Sequence, residues 1–338
     1  MSGERPIIAH AMGCPAGVAP ELTARMLSDP EVTTAARIIV TGDARVLEKG
    51  ARTAGVSLVY HSINPGDALP PGDGPVLVDL KHLDPETIPV GALSKPSGDF
   101  AMRNFREALA LARDGVADVV TFSPFNKASM RLSHPFYEDE VVFLHEFLNF
   151  DGVAQEFNIL PHLWNARVTS HVPISGVAPL ITKANVLRGL RLTDGAMRAA
   201  GLDRPRIAVA GLNPHAGDGG NFGREEIDEI EPAVAEGKAA GIACEGPFPS
   251  DTVFVRANKG EFDAVLTMYH DQGQIAMKLL GFEQGVTVLG GFPFPIATAA
   301  HGSAYDIAGK GVAHPGAMKN AMLIGARMGA AHRGQSNA

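Results

Sequence analysis

Short runs rich in branched apolar residues alternate along this chain with stretches of helical period, and that rhythm restricts its fold more than any single motif. RPIIAHAM at 5–12, ARIIVTGD at 36–43, GPVLVDL at 74–80 and ADVVTFSP at 117–124 read as buried strands. The segment 97–115 instead repeats Phe100, Met102, Phe105, Ala108 and Leu109 at helical spacing. The second half continues the pattern. Strands are predicted at 167–174, 205–214, 262–270 and 285–291, and helices at 182–200, 223–241 and 316–330. Strand, helix and strand in this order make βαβ units and an α/β fold. The Gly- and Pro-rich stretch at 64–75 predicts a loop, and no internal repeat or low-complexity tract is present. A chain of 338 residues with 45% hydrophobic composition exceeds one core, so two domains or one large α/β unit are expected.

The charge balance narrows the partners. Net charge is -8, without any block of like charges, which argues against nucleic-acid or membrane-surface binding. An anionic substrate would need a local basic pocket. Only Cys14 and Cys244 occur, with no CxxC spacing, so neither a disulfide framework nor a cysteine zinc site is expected. The opening MSGERPIIAHAMG carries an early acidic residue and a short apolar run, and no 18-residue apolar stretch follows. A reducing, cytoplasmic setting is expected.

Several motifs fall where a strand ends, the edge at which open α/β sheets bind ligands. His171 in TSHVP, His215 in GLNPHAGDGG and His270 in MYHDQG each stand there. Three neutral imidazoles make a first shell for a divalent metal with an open position. Any one of them alone reads more often as a hydrogen-bonded structural histidine. Asp271, Lys278 and Asp251 are candidates to shuttle a hydroxyl proton, against the plainer reading of surface charges. Lys127 in SPFNK is either a carboxylate clamp or a solvated loop charge. HGSAYDIAGKG at 301–311 and GCPAGVAPE at 13–21 are Gly-rich loops that allow close backbone approach to a ligand, and neither is a GxGxxG or a P-loop. Trp164, Met268 and Met277 read as core filling, and Cys14 as an inert buried thiol.

Taken together, GLNPHAGDGGNFGREEIDEIEPA at 211–233, GPFPSDTVF at 246–254 and YDIAGKG after MYHDQG resemble the 4-hydroxythreonine-4-phosphate dehydrogenases of vitamin B6 biosynthesis, the PdxA family. The similarity runs essentially end to end. HGSAYDIAGKG also resembles the adenosine-gripping loop of isopropylmalate and isocitrate dehydrogenases, whose fold that family shares. The resemblance implies a two-domain α/β/α subunit with the active site in the interdomain cleft, and an obligate homodimer whose subunits both contribute to it. The implied division is 1–125 plus 296–338, carrying the cofactor loop, and 126–295, carrying metal and dimer contacts. It further implies a divalent metal, often zinc, on His171, His215 and His270. Asp251 falls near the substrate, Lys278 and Asn213 among the substrate contacts, and Asp271 beside them. NAD or NADP is expected against His301, Gly302, Ser303, Asp306 and Gly309. In the implied reaction the metal polarises a hydroxyl, and the resulting keto acid loses its carboxylate.

Departures from the family pattern fall on the substrate contacts. Cys14 stands where GDPAG has its Asp. DEVVF at 139–143 replaces GHTEF, putting Glu140 and Val141 at the substrate-contacting His and Thr. Thr287 replaces an Asn, and Ile296 stands where an Arg is expected. Those groups supply phosphate recognition, and a buried phosphate without partners is costly. The first expectation is therefore a metal-dependent, decarboxylating dehydrogenase of a non-phosphorylated or unusually bound hydroxy acid, with carboxylated dihydrodiols such as that of terephthalate as one candidate class. The alternatives are the vitamin B6 step itself and a phosphorylated sugar acid held by Lys127, Arg131 or Arg224. A catalytically silent binding protein is the reading of a different class, and metal content separates it from the others.

Overall fold

The computed structural model describes residues 5–336 and divides into two compact units, 1–153 with 286–338, and 154–285. In the first unit, β1 (Ile7–Ala11), β2 (Arg37–Gly42), β3 (His61–Ile63), β4 (Val76–Asp79) and β5 (Val119–Phe122) alternate with helices. These helices are α1 (Ala19–Ser28), α2 (Pro30–Ala35), α3 (Ala44–Ala54) and α4 (Lys95–Arg113), followed by α5 (Lys127–Ser133) and α6 (Glu140–Leu148). The four apolar runs of the first half are β1, β2, β4 and β5. They lie parallel, with Ala9 of β1 opposite both Ile39 of β2 and Val120 of β5. Their burial on both faces is what allows near-continuous apolar sequence. Ser94 caps α4, and Phe100, Met102 and Phe105 of that helix are fully buried. Each such side chain contributes about 2 kcal/mol.

Beneath β1 lies a polar cluster closed to solvent. His10 Nδ1 bonds Thr121 Oγ1 at 2.9 Å, and Nε2 lies 3.2 Å from Thr23 Oγ1 and 3.1 Å from Ser123 Oγ. Burial pushes the imidazole down to about 3, so it is neutral at physiological pH.

The second unit starts with an antiparallel pair, β6 (Gln155–Leu160) and β7 (Leu163–Arg167), followed by α7 (Lys183–Ala199) and β8 (Ile207–Ala210). Then come α8 (Glu231–Ala239), β9 (Cys244–Phe248), α9 (Ser250–Asn258), β10 (Ala264–Thr267) and α10 (His270–Gly281). Its strands run in the order β6-β7-β10-β8-β9. Leu160, Leu163, Val253, Phe254, Val265 and Met277 fill its core, and Trp164 is buried against Phe157. The strand expected at 167–174 ends at Arg167. Beyond it Val168 and Thr169 still donate to Thr267 and Met268 carbonyls, but His171 has φ +48 and Pro173 has no N–H to give.

The chain then returns to the first unit through β11 (Val286–Gly290), β12 (Ile296–Ala299) and α11 (Gly316–Ser336), completing the strand order β3-β4-β2-β1-β5-β12-β11. The unit boundaries therefore differ from the division expected at 125/126 and 295/296. Residues 126–153 stay with the first unit because α5 packs on α4, and 286–295 because β11 pairs antiparallel with β12. Cys14 and Cys244 are free and buried. Among the described residues no helix is long and apolar enough to cross a membrane.

Candidate active site

Strand β10 lies parallel to both β7 and β8, so the carboxyl ends of all three emerge at one edge of the second unit's sheet. His171, His215 and His270 follow those three ends, where an open α/β sheet places its ligands. The extension of 168–169 along β10 carries His171 toward His270, and the two ring centroids stand 5.6 Å apart at an interplanar angle of 42°. Two imidazoles sharing an ion at ~2.0–2.1 Å from each nitrogen have centroids roughly 5–6 Å apart, so the spacing of this pair is compatible with a shared ion. His270 Nδ1 lies 2.6 Å from Asp271 Oδ1, which leaves Nε2 for an ion. His215 does not complete a triad within the chain. Among the described residues no three His, Cys, Asp or Glu side chains are grouped to hold a metal.

His215 sits instead on an unusual backbone. Residues 215–219 all have positive φ, at 54, 52, 81, 45 and 65°, and three of the five are not glycine. Left-handed conformation costs an L-residue roughly 1–2 kcal/mol, so the run persists only because its surroundings impose it. The buried carboxylate of Glu226 anchors the residues that lead into it: Oε1 accepts the Leu212 and Asn213 amides at 2.7 Å each, and Oε2 accepts Asn213 Nδ2 at 2.9 Å. A Cβ on Gly217, at φ +81°, would lie 2.7 Å from Oε2 and would have to displace that carboxylate. Glu226 opens a π-helical turn, 226–230, before α8. Gln272 joins this loop to the His270 turn, accepting from Met268 N at 2.7 Å and donating to Gly211 O at 2.8 Å.

Asp251 lies in the first turn of α9 and Lys278 near the end of α10, both exposed. Among the described residues neither makes a side-chain hydrogen bond or ion pair, so no surface ion pair accounts for them. Asn213 is held by Glu225 and Glu226, which makes it a brace of the loop before any substrate arrives.

The other candidates belong to the first unit. The 301–311 loop is packed backbone to backbone: Ser303 O accepts Val18 N at 3.0 Å, and a Cβ on Gly17 would meet that same oxygen at 2.4 Å. Glu21, buried in α1, accepts Gly311 N at 3.3 Å and Ala313 N at 2.9 Å, while Arg25 donates to Gly311 O at 2.8 Å. Asn126 Nδ2 reaches Ser303 Oγ at 3.1 Å. Tyr305 OH lies 3.3 Å from both Cys14 Sγ and Ser129 Oγ, and burial pushes both the thiol and the phenol up, as expected of an inert cysteine. Ser303 is buried in this frame. Gly302, Asp306 and Gly309 are exposed, and His301 Nδ1 is within 3.0 Å of Gly302 O.

Asn126 caps α5 and Asp139 caps α6, and the two helix starts bring Lys127 Nζ to 2.8 Å from Glu140 Oε2. Tyr137 lies beside this pair, its hydroxyl pushed up by burial and then by Glu140. Val141 and Thr287 are half-buried, and Ile296 is fully buried in β12, so no cation replaces the expected arginine there. Arg131 is committed to the carbonyls of Tyr137 and Glu138, and Arg224 to Asp228. Sequence reasoning missed Glu226, Gln272 and Glu21. Only Glu21 had a signal, its place in the Gly-rich turn GCPAGVAPE.

The profile of the PdxA family, described as pyridoxal phosphate biosynthetic protein PdxA, matches residues 34–325. The chain belongs to the PdxA family. It is 54% identical over 336 residues to the "Putative 4-hydroxythreonine-4-phosphate dehydrogenase 2" of Rhizobium meliloti, covering 99% of this chain and 96% of that protein. The D-threonate 4-phosphate dehydrogenase of Cupriavidus necator is 36% identical over 330 residues, 97% and 98% of the two chains. Among solved structures, a 4-hydroxythreonine-4-phosphate dehydrogenase from Klebsiella pneumoniae superposes with TM-score 0.82 at 32% identity, covering 97% of this chain and 99% of that one. A terephthalate 1,2-cis-dihydrodiol dehydrogenase from Burkholderia xenovorans gives 0.66 at 26%, covering 92% and 94%. A β-decarboxylating dehydrogenase from Thermococcus kodakarensis, at 0.51 and 16% over 97% and 84%, shares the fold. The protein is thus an α/β enzyme, a dehydrogenase of the PdxA family. Relatives named for phosphorylated substrates match it better than the dihydrodiol enzyme does, which reverses the order of the two substrate readings drawn from the sequence.

Proposed function

We propose that this PdxA-family dehydrogenase oxidises a 4-phosphorylated hydroxy acid of the 4-hydroxythreonine-4-phosphate or threonate-4-phosphate type, with NAD or NADP as acceptor. The observation that carries this is 54% identity along 99% of the chain to a relative named for that substrate. When bound, the nicotinamide would supply the acceptor for a hydride from the carbon bearing the hydroxyl, and the hydroxyl proton would pass to a base of the protein. Asp251 and Lys278 are the groups assigned to that proton, and the 301–311 loop, with His301, Gly302, Ser303, Asp306 and Gly309, would hold the cofactor.

A divalent ion, zinc in this reading, fits the donor set in part: the spacing of the His171 and His270 rings is compatible with a shared ion, and His215 is the third imidazole assigned to it. When bound, such an ion supplies positive charge that polarises a hydroxyl and stabilises the anion left by loss of carbon dioxide. Asp271 keeps His270 oriented through Nδ1. Decarboxylation, a cytoplasmic setting and a homodimer that shares its active sites belong to the same proposal.

The test is reduced-nicotinamide absorbance with purified protein, zinc and NAD or NADP, comparing 4-hydroxythreonine 4-phosphate, threonate 4-phosphate and a carboxylated cis-dihydrodiol. Turnover of either phosphate ester supports the proposal. Turnover of the dihydrodiol alone overturns it in favour of the reading suggested by Glu140 and Ile296. No turnover together with no bound metal points to a silent binding protein.

A further inference from the structure

We propose that Glu226 is a positioning residue for His215: its buried carboxylate forces the left-handed turn that aims this imidazole, and the π-turn at 226–230 exists to deliver that carboxylate. The inference rests on the metal reading of His215 above, and it extends that reading to a residue that touches neither ion nor substrate.

Three local irregularities converge on one point. Strained backbone over 215–219, a π-turn at 226–230 and a carboxylate 1% exposed occur within one stretch of chain. Each is uncommon, and strain and π-turns concentrate where a side chain must be aimed. The contacts show how they depend on one another. Both oxygens of Glu226 are spent on the start of the loop, on the backbone amides of Leu212 and Asn213 and on the Asn213 side chain. Those residues lead directly into Pro214 and His215, so the carboxylate sets where the left-handed run begins. Glu225 takes the Asn213 amide as well, at 2.7 Å, and doubles the clamp. Gln272 then ties Gly211 to Met268, which links the start of this loop to the turn that carries His270. The imidazole is exposed while everything that bends its backbone is buried or half-buried. A loop that served packing alone would have its side chain inside.

The test uses the full chain and three variants, Glu226→Ala, Glu226→Gln and His215→Ala, with zinc affinity measured by chelator competition and amide exchange measured without metal. Glu226→Ala is expected to weaken zinc about tenfold to a hundredfold, as loss of an orienting partner does, and to speed exchange at Leu212 and Asn213. Glu226→Gln keeps an oxygen for both backbone amides and is expected to retain affinity within about threefold. Wild-type affinity in Glu226→Ala, with affinity lost in His215→Ala, overturns the positioning role and leaves the metal reading standing. Wild-type affinity in His215→Ala overturns the metal reading and this inference with it. Should Glu226→Ala fail to fold, Glu226→Asp replaces it: weakened zinc at an unchanged melting temperature supports the proposal, and unchanged zinc overturns it.

Discussion

The ammonium of Lys127 lies 2.8 Å from the carboxylate of Glu140, across the starts of two separate helices. Lys127 is the candidate cation for an anionic substrate group, and Glu140 stands where the family pattern has a histidine. The pairing therefore holds the cation partly neutralised. With 44% of the lysine side chain exposed, the pair is worth no more than about 1 kcal/mol. Replacing Glu140→Gln is expected to lower KM for the phosphorylated substrate up to about fivefold with kcat unchanged, and to strengthen inhibition by inorganic phosphate. Initial rates over a substrate series measure this. An unchanged KM would show that Lys127 does not meet the phosphate.

Acid should unfold the first unit through His10. Its folded value, near 3, lies below the unfolded 6.5, so below pH 6.5 the unfolded chain binds a proton that the folded chain refuses. Stability falls as pH drops through that window, at about 1.4 kcal/mol per pH unit, and is unaffected by this group above it. Unfolding free energies from urea titrations at pH 7 and pH 5 should differ by about 2 kcal/mol from His10 alone. His10→Gln should reduce that difference while lowering stability at both pH values.

Removing the Glu21 carboxylate should loosen the 301–311 loop, the proposed cofactor site, without touching the proposed metal ligands. Glu21→Ala leaves the Gly311 and Ala313 amides without their partner, a loss of about 1–3 kcal/mol that the bound cofactor would have to make good. The expected result is about tenfold weaker NAD binding by fluorescence titration with zinc affinity unchanged.

Dialysis against a chelator should abolish turnover, and zinc should restore it in the wild type. In His171→Ala and His270→Ala, restoration should fail or need about a hundredfold more zinc, since each loses one direct ligand. Full activity in metal-free protein would remove the ion from the proposed reaction.

What the sequence reveals here follows from how each element is buried. β1, β2, β4 and β5 are legible because both their faces are covered, which writes an apolar run. β7 is not, because Asn165 and Arg167 interrupt it. Both are buried, with the Asn165 amide on Val265 O and the Arg167 guanidinium on Asn158 and Glu156, and no local pattern shows this. β9 escapes for another reason: as the edge strand next to β8 it tolerates Gly246 and Pro247. The histidines were legible as residues after strand ends. Glu226 was not, because in GREEIDEIE any carboxylate reads as part of a solvated helix face, and only the π-turn puts this one inside. Lys127 and Glu140 were both singled out, but their contact depends on two capped helix starts in three dimensions.

The return of the chain to its first unit has a cost during synthesis. β12 lies between β5 and β11, and α11 packs over β5 and β12, yet these elements leave the ribosome only after the whole of the second unit. Until they emerge, β5 presents an open edge and an uncovered apolar face, the kind of surface that pairs with other chains. Residues 154–285 form one uninterrupted segment and can close their own core earlier. The first unit is therefore begun before the second and completed after it, and its open strand edge stays exposed to aggregation until β11, β12 and α11 have been made.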